Sequence, residues 1–406
     1  MPQPQRPDFA REIIDFGLDD SDFSPAPLAA TPFLDLGLPW PAGARPVPEP
    51  WGPGEMPQPG DELPEADVLV VTWTVAEHEA LADVLTPGFG RNSWARYARR
   101  FQDHYEPQIR DGAPSRKVRR LGSYFRTTIA GKRILCFKSE LHLNQDGKRT
   151  APGKATLPVR DLFEQMIDEV KPSLVITVGT AGATFAPDDT LSVGGMNCPP
   201  HELGDVVITR GAKFRLSREF AQEDFAHDAY RCDTFTIPTA RLAAARTLLA
   251  HHADKLVEPG FGPPHTKYDW PQGGSLPGFA NTPDFKIDGV DFPAFHPILT
   301  TDFFEFGTST NRLWEQGCGV EMGDAVLGLV VETRKAEGRP APDWLVIRNA
   351  SDPQINGRLP NRETPGIPPE LRRSLDMQAH WAVWYYETYG YWTSVNSAIA
   401  VWAMVA

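Results

Sequence analysis

The sequence predicts an α/β protein with a mixed, largely parallel central sheet flanked by helices, and three observations lead there. Continuous apolar, β-branched runs such as "ADVLVVTW", "KPSLVITVGTAGATF" and "WLVIRNASD" read as strands buried on both faces. Segments of helical spacing alternate with them, which is the pattern of repeated β-α units. The chain has 406 residues and 41% hydrophobic content, enough for a sizeable core.

Taken in order, the first 65 residues hold 15 of the 40 prolines and 12 acids against 3 arginines, a balance of 3 − 12 = −9. Proline lacks a ladder donor, so this segment reads as an extended, acidic N-terminal arm on the body or on a neighbouring subunit, with disorder as the alternative. The body is expected over residues 66–406. "ADVLVVTW" opens it as a strand, and "VAEHEALADVL" follows as a helix with Ala76, Ala80, Leu81, Val84 and Leu85 at helical spacing. The basic run "RKVRRLGSYFR" reads as a solvated strand edge. "YFRTTIAGKRILCF" is a hairpin turning at Ala130-Gly131. "LPVRDLFEQMIDEV" is a helix with Pro158 in its first turn, where a missing N–H costs nothing, and with Val159, Leu162, Phe163, Met166, Ile167 and Val170 on one face.

"KPSLVITVGTAGATF" is then a buried strand ending in a Gly-rich turn, and "LGDVVITRGAKF" a further strand. An insertion at about 216–296 is half helical ("TARLAAARTLLAHHADKL") and half Pro-, Gly- and aromatic-rich loop ("EPGFGPPHTKYDWPQGGSLPGFANTP"). A helix through Met322, Ala325, Val326, Leu329 and Val330 leads to the strand "WLVIRNASD". The aromatic-rich C-terminal stretch reads as a long helix packed across the sheet.

Several function classes are disfavoured. No apolar run approaches the roughly 18–20 residues that cross a bilayer, and the N-terminus lacks a basic start followed by an apolar block, so a cytoplasmic location is expected. The net charge of −13 argues against a nucleic-acid backbone as main partner. Cys136, Cys198, Cys232 and Cys318 are far apart, with neither CxxC nor CxxxH spacing, and read as reduced bystanders. No metal or cofactor is expected; the expected partner is a small molecule, with assembly as a homo-oligomer, a dimer or larger.

In open α/β sheets ligands bind beyond the carboxyl ends of strands, so strand ends carry the candidates. "VGTAGA" offers Thr180 and Gly182, whose exposed backbone suits close approach to an anion or sugar; the alternative is a tight turn that needs glycine for its dihedrals. It matches neither GxGxxG nor a P-loop. Glu77 lies near a helix start, where an ordinary first-turn acid is the alternative. Asp352, preceded by Ser351, ends an apolar strand, against a turn or capping aspartate. Phe304 in "TTDFFEF" could stack on a planar base, although aromatic clusters are usually core. In "GCGVEMGDAVLG", Glu321 and Asp324 flank Met322 and Gly323 at a helix start. His201, His251 and His252 have no partner at ligand spacing and read as structural or surface residues.

The order of these motifs over residues 66–395 resembles the nucleoside phosphorylase and nucleosidase superfamily, nearest to methylthioadenosine/S-adenosylhomocysteine nucleosidase-like proteins. "VVTWTVAEHEAL" resembles the segment whose glutamate activates water, and this falls on Glu77. "VGTAGA" resembles the family's GSAG or GTAG loop near the anomeric centre, "LGDVVI" the following strand, and "TTDFFEF" the segment whose phenylalanine stacks on the purine, here Phe304. "VEMGDA" resembles VEMEA, where a methionine and a glutamate hold the ribose, and "RNASD" the strand end whose aspartate acts on the base, here Asp352. The resemblance implies a phosphorylase-like three-layer fold and cleavage of a purine N-glycosidic bond. Water is the favoured nucleophile, because the arginines that phosphorylases place before the Gly-rich loop and in an early loop are absent.

Gly323 departs from the pattern, since a glycine stands where the family has its ribose-binding glutamate. Three explanations stay open. Glu321 or Asp324 takes the role, the sugar is altered or lacks a hydroxyl, or the protein binds a nucleotide without turnover. A phosphorylase and a non-catalytic nucleotide sensor or assembly subunit are the alternatives to a hydrolase.

Overall fold

The computed structural model describes residues 34–257, 279 and 282–406. The first 33 residues of the expected N-terminal arm and most of the Pro- and Gly-rich loop of the insertion lie outside these. Residues 34–65 run along the body: β1 (Val47–Pro48) pairs antiparallel with a body strand, and the Trp402 indole N–H donates to the Ala44 carbonyl at 2.6 Å.

The β-α opening is present as β2 (Val68–Thr72) and α1 (Val75–Leu85). Thr74 caps α1 and Glu77 completes a capping box, so the chain's turn from strand to helix is fixed by two reciprocal hydrogen bonds. A short strand, β3 (Ala95–Tyr97), and a five-residue helix, α2 (Pro114–Val118), follow. The hairpin is β4 (Gly122–Ile129) and β5 (Lys132–Ser139). Ala130 and Gly131 both have positive φ, 50° and 82°, the turn that matches the strands' twist. The basic run is therefore no solvated edge. Its first half is α2, and its second half is an inner strand flanked by β1, β3 and β5, with Arg120 buried against Glu140.

A four-residue helix, α3 (Leu143–Asp146), precedes the small hairpin β6 (Arg149–Ala151) and β7 (Lys154–Ala155). Helix α4 (Pro158–Val170) buries the face expected of it. Strand β8 (Leu174–Ala183) does not stop at its glycines but continues through them. After the small hairpin β9 (Leu191–Val193) and β10 (Met196–Cys198), "LGDVVITRGAKF" forms two strands, β11 (Val206–Thr209) and β12 (Gly211–Arg215), which break at Arg210 and take different partners. Residues 216–296 contribute β13 (Ala229–Arg231) and β14 (Phe285–Ile287) to the main sheet, and α5 (Leu242–Ala250). The chain ends with β15 (Ile298–Thr301), β16 (Gly319–Glu321), α6 (Asp324–Ala336), β17 (Asp343–Asp352) and α7 (Met377–Val405).

The main sheet runs β1-β4-β5-β2-β8-β16-β15-β12-β13, with β17 along β8 carrying β11 and β14, and β3 on β4. Its centre, β5-β2-β8-β17, is parallel, and antiparallel pairs lie mostly outside it. Residues alternate between two cores: Val68 and Val70 face α1, α5 and the second half of α7, while Leu69 and Val71 face α4 and α6. Burial on both faces is why the central strands are apolar without alternation.

One detail of this topology makes the cleft. On one side β17 covers β8 along its length. On the other, β2 pairs only as far as Thr177 and β16 begins at Gly182, so the edge between them has no strand neighbour among the described residues. Buried backbone donors there need another acceptor.

Candidate functional site

Glu77 supplies that acceptor. Its Oε1 accepts from the Thr180 N–H and hydroxyl, both at 2.8 Å, and its Oε2 from the Thr72 hydroxyl and the N–H groups of Trp73 and Thr74, at 2.8–3.0 Å. Burial pushes its pKa up, but Arg348 and the backbone donors outweigh this and hold it below the ordinary carboxylate range. Glu77 is thus a fixed anion with every lone pair engaged. Gly179 is what lets it sit there: a Cβ at that position would lie 2.5 Å from Glu77 Oε1 and 2.7 Å from Arg348 Nη1. Neither Gly179 nor Gly182 has a positive φ, so these glycines serve close approach and not a turn.

Arg348, on β17, lies buried among three acids. Its Nε and Nη2 form a bidentate pair with Asp324 at 2.8 and 2.6 Å, Nη2 reaches Glu321 Oε2 at 3.3 Å, and Nη1 is 4.0 Å from Glu77 Oε1. It also donates to the Thr180 carbonyl and lies over the Trp73 ring at 5.0 Å. One cation does not balance three buried carboxylates. The excess falls on Glu321, whose pKa is raised by burial and then by the Asp324 charge, while Thr300 Oγ1 donates to its Oε1.

Asp352 is the opposite case. A bulge in β17 sets Ala350, Ser351 and Asp352 against only Ala181 and Gly182 of β8, turning the last side chain into the cleft. Gly182 makes room, since a Cβ there would be 3.0 Å from Asp352 Oδ2. The carboxyl is buried, has no cationic partner among the described residues, and accepts from the Ser351 hydroxyl at 2.9 Å. Burial, only partly offset by that hydrogen bond, raises its pKa from 3.8 to about 7.

These groups line one cleft of about 770 Å³. It brings together Glu77, Thr180, Gly182, Phe304, Glu321, Met322, Ser351 and Asp352 from five separate stretches of sequence. Asp324 is the exception: it is fully buried beneath the wall, bound to Arg348, and does not line the cleft. Asp302 serves the fold, accepting from the N–H groups of Ser217, Arg218 and Phe220. His201 packs on Phe185, and His252 bonds Asn396 at 2.9 Å.

Sequence reasoning missed Arg348, Trp73, His142, Asn144 and Tyr386, all of which line the cleft. Arg348 had a signal, a cation inside the apolar run "WLVIRNASD". Tyr386 was hidden in the aromatic helix α7. Trp73 explains Gly323: a Cβ on that glycine would lie 3.3 Å from the indole Cζ2, so the ring covers the space a side chain would enter.

No protein-family model matches the chain, and no curated protein sequence matches it. Among solved structures it is similar to 5′-methylthioadenosine/S-adenosylhomocysteine nucleosidase from Neisseria meningitidis in complex with methylthio-immucillin-A, at 14% identity over 84% of this chain and 98% of that one, TM-score 0.39. The corresponding nucleosidase from Helicobacter pylori with butyl-thio-DADMe-Immucillin-A matches at 13% identity, 84% and 98% coverage and TM-score 0.39. Futalosine hydrolase of Helicobacter pylori matches at 13% identity, 83% and 96% coverage and TM-score 0.39. These are nucleosidases of the kind the motif order resembles. The likeness is remote and assigns no role to any residue.

Proposed function

We propose that the chain hydrolyses the N-glycosidic bond of a purine nucleoside or nucleotide and releases the free base. One observation carries this reading: two carboxyl groups share the cleft with pKa values pushed in opposite directions, Glu77 down and Asp352 up to about 7. Such a divided pair supplies a resident anion and a resident acid at neutral pH.

Asp352 delivers its proton to the purine as the C–N bond breaks and its electron pair goes to the base nitrogen. Water attacks the anomeric carbon, and the oxocarbenium-like charge that develops there is stabilised by the Glu77 anion. For Glu77 to take the water's proton, one of its donors must turn away. Of its two hydroxyl donors, Thr72 and Thr180, the Thr180 one lines the cleft and can rotate away. Phe304 stacks on the base and Met322 packs on the sugar. Ser351 and Gly182 position Asp352; Glu321, with Asp324 behind it, holds Arg348.

Water is favoured over phosphate as nucleophile because, among the described residues, Arg348 is the one lysine or arginine lining the cleft, and its guanidinium is engaged by acids. Incubation with a nucleoside and nucleotide panel, with and without phosphate, tests the reading. Free base released without phosphate supports it; strict phosphate dependence, or tight binding with no turnover, overturns it. Asp352→Asn should lower kcat by about 10²-fold or more.

A further inference from the structure

We propose that His142 and Asn144 form a polar subsite that reads a hydroxyl group on the sugar of the substrate. This rests on the hydrolase reading above and names what that reading lacks, a group that recognises the sugar.

His142 and Asn144 are 5% and 3% exposed, and both line the cleft. Neither ring nitrogen of His142 has a hydrogen-bond partner among the described residues, and neither does Asn144 Oδ1. Among the described residues the nearest acid to the imidazole is Asp146, 3.7 Å from Nδ1, and the Asn144 amide N–H reaches only the Met322 sulfur, at 3.4 Å, a weak acceptor. Buried polar atoms are nearly always paired, and leaving them unpaired is costly.

The backbone that carries them is held firmly. Asp146 accepts from the His142 N–H at 2.7 Å, and Arg110 donates to the Asn144 carbonyl at 2.9 Å and to the Gly147 carbonyl at 2.8 Å. The segment is fixed from behind, and the two residues that line the cleft keep unpaired polar atoms, an arrangement suited to binding and wasteful for folding alone.

Location identifies the sugar. Asn144 touches Met322, the residue before Gly323, where the glycine has no acceptor of its own, Trp73 covers the space, and Glu321 Oε2, 3.6 Å from where a Cβ would lie, is engaged by Arg348. Asn144, Phe304 and Glu305 are also shared with a wider neighbouring cleft of about 1420 Å³, so Asn144 stands where a sugar substituent would leave the inner cleft. The chemistry identifies a hydroxyl. Asn144 Oδ1 accepts its proton, and a His142 N–H donates to its oxygen. An anion is disfavoured by Asp146 behind the imidazole and by the pairing of Arg110 with Glu219.

The test compares full-length wild type with His142→Phe and Asn144→Leu on a nucleoside that is turned over and on its 2′-, 3′- and 5′-deoxy analogues. Wild type should lose about tenfold or more in kcat/KM on one analogue, and each variant should largely erase that difference. Without ligand, both variants should melt at a higher temperature than wild type, because an unpaired buried polar group has been removed. Equal deoxy penalties in wild type and variants, or indifference of wild type to all three deletions, would overturn the subsite. If no nucleoside is turned over, the hydrolase reading fails separately, and the same series is read by calorimetric binding. Analogue-dependent affinity that vanishes in the variants then sustains the subsite, whereas uniform affinity or no binding sinks it.

Discussion

Replacing Asp352 by asparagine should make the protein more stable and less active at the same time. In the folded chain the carboxyl's pKa rises from 3.8 to about 7. At about 1.4 kcal/mol per tenfold change in proton affinity, that corresponds to about 4 kcal/mol. The sign follows from linkage. Between these two values the unfolded chain has lost the proton and the folded chain keeps it, so stability falls as pH rises from about 4 to about 7 and is level above. Asparagine is never charged, and its carbonyl can still accept from the Ser351 hydroxyl. Paired melts of wild type and Asp352→Asn across pH 5–9 should therefore diverge with rising pH, the variant ending several degrees higher. In the same range wild-type kcat/KM should decline with an apparent pKa near 7, a limb that the variant lacks. A variant that melts lower than wild type at pH 8, or that keeps the activity and its alkaline limb, would refute the assignment of Asp352 as a buried acid.

Other outcomes follow from the same cleft. Arg348→Met leaves Asp324, Glu321 and Glu77 without their common cation and should cost about 3–5 kcal/mol in urea denaturation; a near-neutral effect would contradict the cluster's role. Gly179→Ala places a methyl group 2.5 Å from Glu77 Oε1 and should lower both melting temperature and activity, the latter by about tenfold or more. Phosphate added to the assay should leave the rate of base release unchanged, measured by chromatography of the product.

Much of the fold was legible because its signals are local. The run in β2 is apolar on both faces because two cores meet it, and Ala130-Gly131 marks a tight hairpin between two strands. The "VGTAGA" segment was open to two readings, close approach and a tight turn, because glycine has two uses. Here it admits the carboxylates of Glu77 and Asp352 to a strand that never bends back. Thr180 and Asp352 could be found because each ends an apolar run. Arg348 could not be given a role, since its partners stand at positions 77, 321 and 324 and only the fold brings them together. His142 and Asn144 carry no spacing or periodicity at all; what marks them is the hydrogen bonds they do not make.

The contact between Trp73 and Gly323 constrains how such a cleft can change. Even a methyl group at 323 would press on the indole at 3.3 Å, so a glutamate installed there alone must displace a ring stacked over Arg348. Trimming Trp73 alone, in turn, uncovers a buried guanidinium. Each single step should be harmful, and only the pair together places an unobstructed carboxylate at position 323. The two positions are therefore epistatic: Trp73→Ala with Gly323→Glu should fold better than Gly323→Glu by itself, and any lineage moving between the two forms of the site has to cross a fitness valley.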